Sequence, residues 1–212
     1  MSLMDAAPSE TGLESGGYAK GVAVAIVTQN NDPDGLCRVK VRYPWYDQPR
    51  ESYWARLAAP MAGKDRGLVL IPEVDDEVLV AFEREDLRFP YVLGALWNGK
   101  DKPPEDNGDG RNDKRLFKSR KGHYLLFDDG SKGVVEISLD DGKRLTFDDD
   151  GVVLRDNNGN QLKIDAASGA MEISTSGRLT IKAATIEISA TASMDVKASG
   201  KLALTGSIVN IN

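Results

Sequence analysis

One cysteine and one histidine, Cys37 and His123, are all the chain offers for thiol or imidazole chemistry. A thiol nucleophile needs a base, and the base needs a third group to orient it. The sequence marks no such group, and the two residues stand in different compositional zones. We therefore read Cys37 as a small residue of a barrel and His123 as the start of a second, repetitive region. One cysteine excludes an intrachain disulfide, and the pair cannot supply the four ligands of structural zinc, so any metal would have to be shared between chains.

Gly94-Ala95-Leu96-Trp97-Asn98-Gly99-Lys100-Asp101 falls one residue short of a phosphate-binding loop and follows an apolar run, as that motif requires. Asp101 stands where a hydroxyl would hold magnesium and repels phosphate, while Pro103-Pro104 forbids the helix whose N-terminus would hold the anion. A final strand with its exit turn is the better reading. Asp148-Asp149-Asp150-Gly151 and Asp156-Asn157-Asn158-Gly159-Asn160 offer oxygen ligands for calcium, yet neither has the spacing of an EF-hand loop. Asp-Gly and Asn-Gly instead favour tight β-turns. There is no Gly-x-Ser-x-Gly elbow, and nothing singles out an acid pair among 33 carboxylates. We expect no enzyme, no cofactor and no resident metal.

Tyr43, Trp45, Tyr46, Tyr53 and Trp54, interleaved with Arg42, Arg50 and Arg56, form the strongest case for a ligand-binding surface. Small barrels hold single-stranded nucleic acid by stacking bases on such rings inside a basic groove. The balance of 27 basic against 33 acidic residues, a formal charge of -6, argues against a polyphosphate partner. Barrel core and packing between subunits are the competing assignment for these rings.

The elements that must position these residues follow from composition. A chain of 212 residues that is 41% hydrophobic and 28% charged can bury a core and is not disordered. No stretch is apolar enough to span a membrane, and the opening MSLMDAAPSETGLESGG lacks the regions of a signal peptide. Residues 1–20 are small and polar and read as a flexible arm. Residues 21–98 carry alternating β-branched runs at Val22–Val27, Arg38–Tyr43 and Glu77–Phe82, separated by turn signals such as 30–35 and Asp75-Asp76. Several short strands without an amphipathic helix predict an OB-type barrel. Residues 99–118, with tandem prolines among Gly, Asn and Asp, read as a linker too short to hold an inserted domain.

Residues 119–212 change character. Apolar-x-apolar triplets recur: Val135-x-Ile137, Leu145-x-Phe147, Val152-x-Leu154, Leu162-x-Ile164 and Met171-x-Ile173, and onward to Val209-x-Ile211. From Ile164 the second members settle to a spacing of seven or eight residues, which is an internal repeat. The apolar positions lie at i and i+2, the period of a strand, and the heptad charge pairs of a coiled coil are missing. One strand and one turn per unit cannot enclose a core within one chain. Three identical chains winding about one axis would bury the stripe, with folding and trimerisation inseparable. The predicted core of that trimer is Ile173, Leu179, Ile181, Ile186, Ile188, Met194, Val196, Leu202 and Leu204.

Both halves resemble the gp5-like spike proteins of contractile tails, which include phage baseplate assembly protein V and the matching C-terminal part of VgrG spikes. The blocks that carry the resemblance include Val39-Lys40-Val41-Arg42-Tyr43-Pro44-Trp45, Ser52-Tyr53-Trp54-Ala55-Arg56, Ile71-Pro72-Glu73-Val74 and Arg88–Asn98. Ser119–Asp129 is similar to the family's entry into its β-helix. The resemblance covers roughly residues 20–212 and departs from the family at Cys37 and Asp75, where glycine is common. It implies an all-β chain, an N-terminal OB-fold barrel followed by an intertwined trimeric β-helix shaped as a triangular prism. It also implies a structural spike, or needle, that pierces a target envelope mechanically and meets the membrane only on firing.

The implied partners are two further copies of the chain, a separate baseplate hub at the barrel end and a PAAR-type tip protein at Val209, Asn210, Ile211 and Asn212. The hub domains of full VgrG proteins are missing, and Ile208–Asn212 lacks the histidine-x-histidine pair of self-capped tips. The implied setting is assembly in the bacterial cytoplasm into a phage virion baseplate or contractile injection particle. The alternatives are a tail-associated protein that binds an envelope glycan through a groove on the prism, and an OB-fold single-strand binder.

Overall fold

The structure, a computed structural model, describes residues 18–46 and 51–211. Residues 1–17 of the expected arm, Arg50 and Asn212 lie outside the described residues. The chain divides into two compact units between Asn112 and Asp113.

The first unit grows from alternation. In β1 (Val22–Gln29), Ala25 and Val27 are buried while their neighbours are only partly covered. The period-2 pattern thus puts one side of the strand into a core. β2 (Lys40–Arg42), β3 (Arg56–Leu57), a small hairpin of β4 (Ala62–Gly63) and β5 (Arg66–Gly67), β6 (Glu77–Phe82) and β7 (Pro90–Ala95) follow. β1 lies antiparallel between β2 and β6, β6 pairs with β7, and β3 runs parallel to β7. Bridges from Val39 to Ala55 and from Arg42 to Glu51 join β2 to the run that leads into β3. The ladder therefore returns on itself in the order β1-β2-β3-β7-β6, a five-stranded OB barrel closed by one parallel pair. Val27, Val39, Val41, Val78, Val80 and Leu87 fill it completely buried. Each contributes about 1.5–3 kcal/mol of burial.

Two loop positions depart from the usual backbone. Cys37 (φ 56) and Asp75 (φ 74) are left-handed, the conformation glycine adopts at no steric cost. These are the two positions where the resemblance led us to expect glycine, so the turn geometry persists with other side chains in place. Cys37 is exposed in the loop between β1 and β2, which corrects its reading as a small barrel residue. The cause is Asp32, whose carboxylate accepts the main-chain N–H groups of Asp34, Leu36 and Arg38. A loop wound about one carboxylate reverses just before Arg38 and turns Cys37 outward.

The second unit is a seven-stranded antiparallel meander in sequence order: β8 (Lys114–Lys118), β9 (Tyr124–Asp128), β10 (Val134–Ser138), β11 (Arg144–Asp148), β12 (Gly151–Arg155), β13 (Gln161–Asp165) and β14 (Met171–Ser174). The stretch expected to be linker as far as Lys118 thus ends in a strand, because Leu116 and Phe117 pair with Leu126 and Leu125 of β9. The intertwined helix expected over 119–212 also differs in its first part, where the strands pair within one chain. Pairing of that kind needs turns that reverse the chain, and Asp141-Gly142, Asp150-Gly151, Asn158-Gly159 and Ser168-Gly169 supply them. Between Gly177 and Gly200 the repeat contains no glycine, and the described residues from Thr175 onward form no strand in a single chain.

Candidate functional site

Residues directly opposite each other in a ladder share a face, as do residues i and i+2. The register of the second unit therefore sorts its apolar triplets. Leu125, Ile137, Leu145, Leu154, Leu162 and Ile173 stand in one row across β9–β14. Phe127, Val135, Phe147, Val152, Ile164 and Met171 stand in a second row on the same face. Phe117 extends the first row onto β8, whereas the second row begins with Arg115. The triplets read from the sequence are these two rows, cut strand by strand.

Among the described residues of the second unit, nothing covers this face. Phe127, Ile137, Phe147 and Leu154 remain 45–52% exposed. Ile173 of the predicted trimer core is 56% exposed, and Leu179, Ile181, Ile186, Ile188, Met194, Val196, Leu202 and Leu204 beyond it are exposed as well. Val209 and Ile211, expected at the tip contact, are exposed, as is Asn210. A monomer rarely carries an apolar patch beyond a few hundred Å², and larger ones mark interaction surfaces.

The opposite face is polar and better covered. Glu136 is buried, and its carboxylate accepts hydrogen bonds from the Tyr124 hydroxyl and, at 3.1 Å, from Thr146 Oγ1. Arg144 Nη1 lies 3.5 Å from Glu136 Oε2. The hydrogen bond to Glu136, aided by partial burial, raises the Tyr124 pKa. The sheet is thus inverted relative to a free-standing fold, with its best-satisfied polar groups on one side and uncovered hydrocarbon on the other.

The aromatic cluster of the first unit divides. Tyr43 is buried, and Trp45 Nε1 donates to the Val24 carbonyl at 3.2 Å, so these rings pack against the barrel core with Tyr46. Tyr53, Trp54 and Arg56 lie instead on the outer wall. The proposed calcium oxygens serve turns: Asp148 Oδ1 accepts from the N–H groups of Asp150 and Gly151, and Asp156 Oδ1 from those of Asn158 and Asn160. The Asn160 side chain and these N–H groups hold the Asp156 carboxyl below its ordinary range. His123 Nδ1 accepts the N–H of Asp140 at 3.1 Å, and Cys37 lies in the other unit. Lys100 and Asp101 direct their N–H groups to Asn98 Oδ1, an exit turn with no cradle for phosphate. Among the described residues, no three His, Cys, Asp or Glu side chains are placed to share a metal, and no helix is long and apolar enough to cross a membrane.

Closed barrel connectivity and an uncovered repeat sheet define a class, and comparison with known proteins agrees for the barrel. Residues 23–97 match the family described as the type VI secretion system/phage-baseplate injector OB domain. The type VI secretion system spike protein VgrG1c of Pseudomonas aeruginosa is 37% identical over 75 residues, which is 34% of this chain and 10% of that protein. VgrG3 of Vibrio cholerae, also a spike protein, is 36% identical over 75 residues, 34% of this chain and 7% of its own length. The actin cross-linking toxin VgrG1 of Vibrio cholerae is 30% identical over 92 residues, 40% of this chain and 8% of its own. The match thus spans about a tenth or less of these relatives' length. The first unit is thus similar to an injector OB domain, and over about a third of its length the chain is similar to the VgrG spike proteins.

Proposed function

We propose that the chain is a non-enzymatic spike of a contractile tail or injection-system baseplate, built as a homotrimer. The observation that carries this reading is the uncovered pair of apolar rows on β9–β14, continued by exposed aliphatic residues as far as Ile211. Three copies that turn these rows toward a common axis bury them all at once, at about 1.5–3 kcal/mol for each large side chain fully covered. The trimer core is the set from Ile173 to Leu204 named above, joined by the rows of the meander. Beyond Ser174 the strands pair between chains, so axial load is shared by all three copies.

In this reading the barrel docks on a separate hub, and Val209, Asn210 and Ile211 meet a tip protein. Piercing is mechanical: stiffness resides in the shared core, and the chain performs no bond chemistry. The relatives' description as spike proteins supports the assignment. Sedimentation equilibrium of the full chain tests it. The mass of three chains is expected, and a stable, soluble monomer would contradict the proposal.

A further inference from the structure

We propose that the outer wall of the barrel holds a second, independent site, which binds a short neutral oligosaccharide. A depression of about 370 Å³ lies among Arg38, Tyr53, Trp54, Arg56, Phe89 and Tyr91. That volume is at the small end of ordinary ligand sites. The depression is assembled from β3 and the run leading into it, from the loop ahead of β2, and from the loop that joins β6 to β7 together with the first residues of β7. In the order of an OB barrel these are the third strand, the first loop and the loop between the fourth and fifth strands, the side on which such barrels take oligonucleotides or oligosaccharides. The pocket chemistry decides between the two.

Rings supply the walls. Tyr53 and Phe89 stack at 5.2 Å with 29° between their planes, and both are exposed, 58% and 45%. The stacked pair stands beside Trp54 and keeps exposed ring surface. Lys40 lies 5.3 Å and Arg38 5.9 Å from the Trp54 ring, and Arg56 lies 5.9 Å from that of Tyr91. The charges around the rings are already satisfied. Arg38 is held by Asp32 at 2.7 Å and Asp34 at 2.6 Å, Lys40 by Glu51 at 3.3 Å and Arg88 by Asp86 at 2.7 Å. Glu83 accepts the Tyr91 hydroxyl at 2.8 Å. Arg56 alone among these cations has no carboxylate partner among the described residues.

A polyanion would have to displace internal carboxylates from three of the four cations, against the free cations that nucleic-acid affinity requires. A peptide strand would need an open sheet edge. The barrel offers none here, because Val39 bridges to Ala55 and Arg56 pairs with Tyr91. A pyranose fits both demands: its C–H face packs on the exposed ring surface of the Tyr53–Phe89 stack, and its hydroxyls meet Arg56 and the rim of paired charges. The inference stands whether or not the chain is a trimeric spike.

Saturation-transfer difference NMR on the full chain tests it with chitotetraose, cellotetraose and maltotetraose as probes and octathymidylate as the rival ligand. Saturation should reach the ring protons of at least one sugar and leave the oligonucleotide silent at physiological ionic strength. The double substitution Tyr53→Ala with Phe89→Ala should weaken sugar binding about tenfold or more with the thermal transition retained. Arg56→Ala supplies a second variant at an exposed position. Silence from all three sugars, binding of octathymidylate in their place, or sugar binding unchanged in both variants would overturn the proposal.

Discussion

The hydroxyl of Tyr43 donates to the main-chain carbonyl of Leu87 at 2.7 Å, joining the end of β2 to the loop between β6 and β7 in the barrel interior. Both residues are buried, so the carbonyl has no water to fall back on. Tyr43→Phe should keep the ring packing and lower stability by about 1–2 kcal/mol in chemical denaturation. Burial, with the negative charge of Asp86 nearby, pushes the Tyr43 pKa up. The unfolded chain therefore ionises first as pH rises. The stability contribution is complete below the ordinary tyrosine range near 10 and declines above it. The alkaline slope of the thermal midpoint should flatten in Tyr43→Phe.

Gly151 follows the two-residue turn between β11 and β12 with φ 138, and an added Cβ would lie 2.0 Å from the Ile164 carbonyl oxygen on β13. The clash is with main chain, which has no rotamer to yield. Gly151→Ala should cost about 2 kcal/mol or more. Hydrogen exchange should show lost protection on β11, β12 and β13 first. Full protection of those amides in the variant would mean the hairpin is placed differently.

Asp165 closes the connection to β14. Its carboxylate accepts the N–H and hydroxyl of Ser168 and lies 3.2 Å from Lys163 Nζ, which together lower its pKa to about 2. With the folded value below the unfolded one, the stabilisation is present above about pH 4 and is lost as pH falls toward 2. Asp165→Asn should reduce the acid dependence of β13–β14 amide exchange in that window. An identical pH profile in wild type and variant would remove Asp165 from the acid transition.

Ile188→Asp places three like charges at one level of the proposed core, and Ile137→Asp does the same within the meander. Each should abolish the trimer, because uncompensated buried charge costs several kcal/mol per site. Light-scattering mass is the readout. If Ile137→Asp dissociates the trimer and Ile188→Asp does not, the common core is confined to the meander.

The i, i+2 placement in Val135-x-Ile137 and Leu145-x-Phe147 made the two apolar rows legible before any fold was known, since only a strand puts those residues on one face. Chain pairing was not legible, because the same face pattern serves a strand whose neighbour belongs to its own chain or to another. What separates β14 from the stretch after it is the loss of reversing Gly turns, a weaker signal than the hydrophobic period. In the barrel, Trp54 and Arg56 were marked by the sequence, but Tyr43 and Trp45 beside them pack toward the core. The rings that complete the outer depression, Phe89 and Tyr91, arrive through the parallel pairing of β3 with β7. No spacing along the chain announces a contact made that way.

Every strand from β9 to β14 contributes one residue to each apolar row, and the strands alternate in direction. Excising β11 and β12 with two of the three connections between β10 and β13 would bring β10 against β13 with the same antiparallel polarity, setting Ile137 opposite Leu162 and Val135 opposite Ile164. The cross-section is therefore indifferent to the number of hairpins. In the proposed spike, duplication or loss of a coding segment for two strands would change the reach of the shaft and leave its girth alone, so that a lineage could match reach to the thickness of a barrier while keeping the two apolar rows in register.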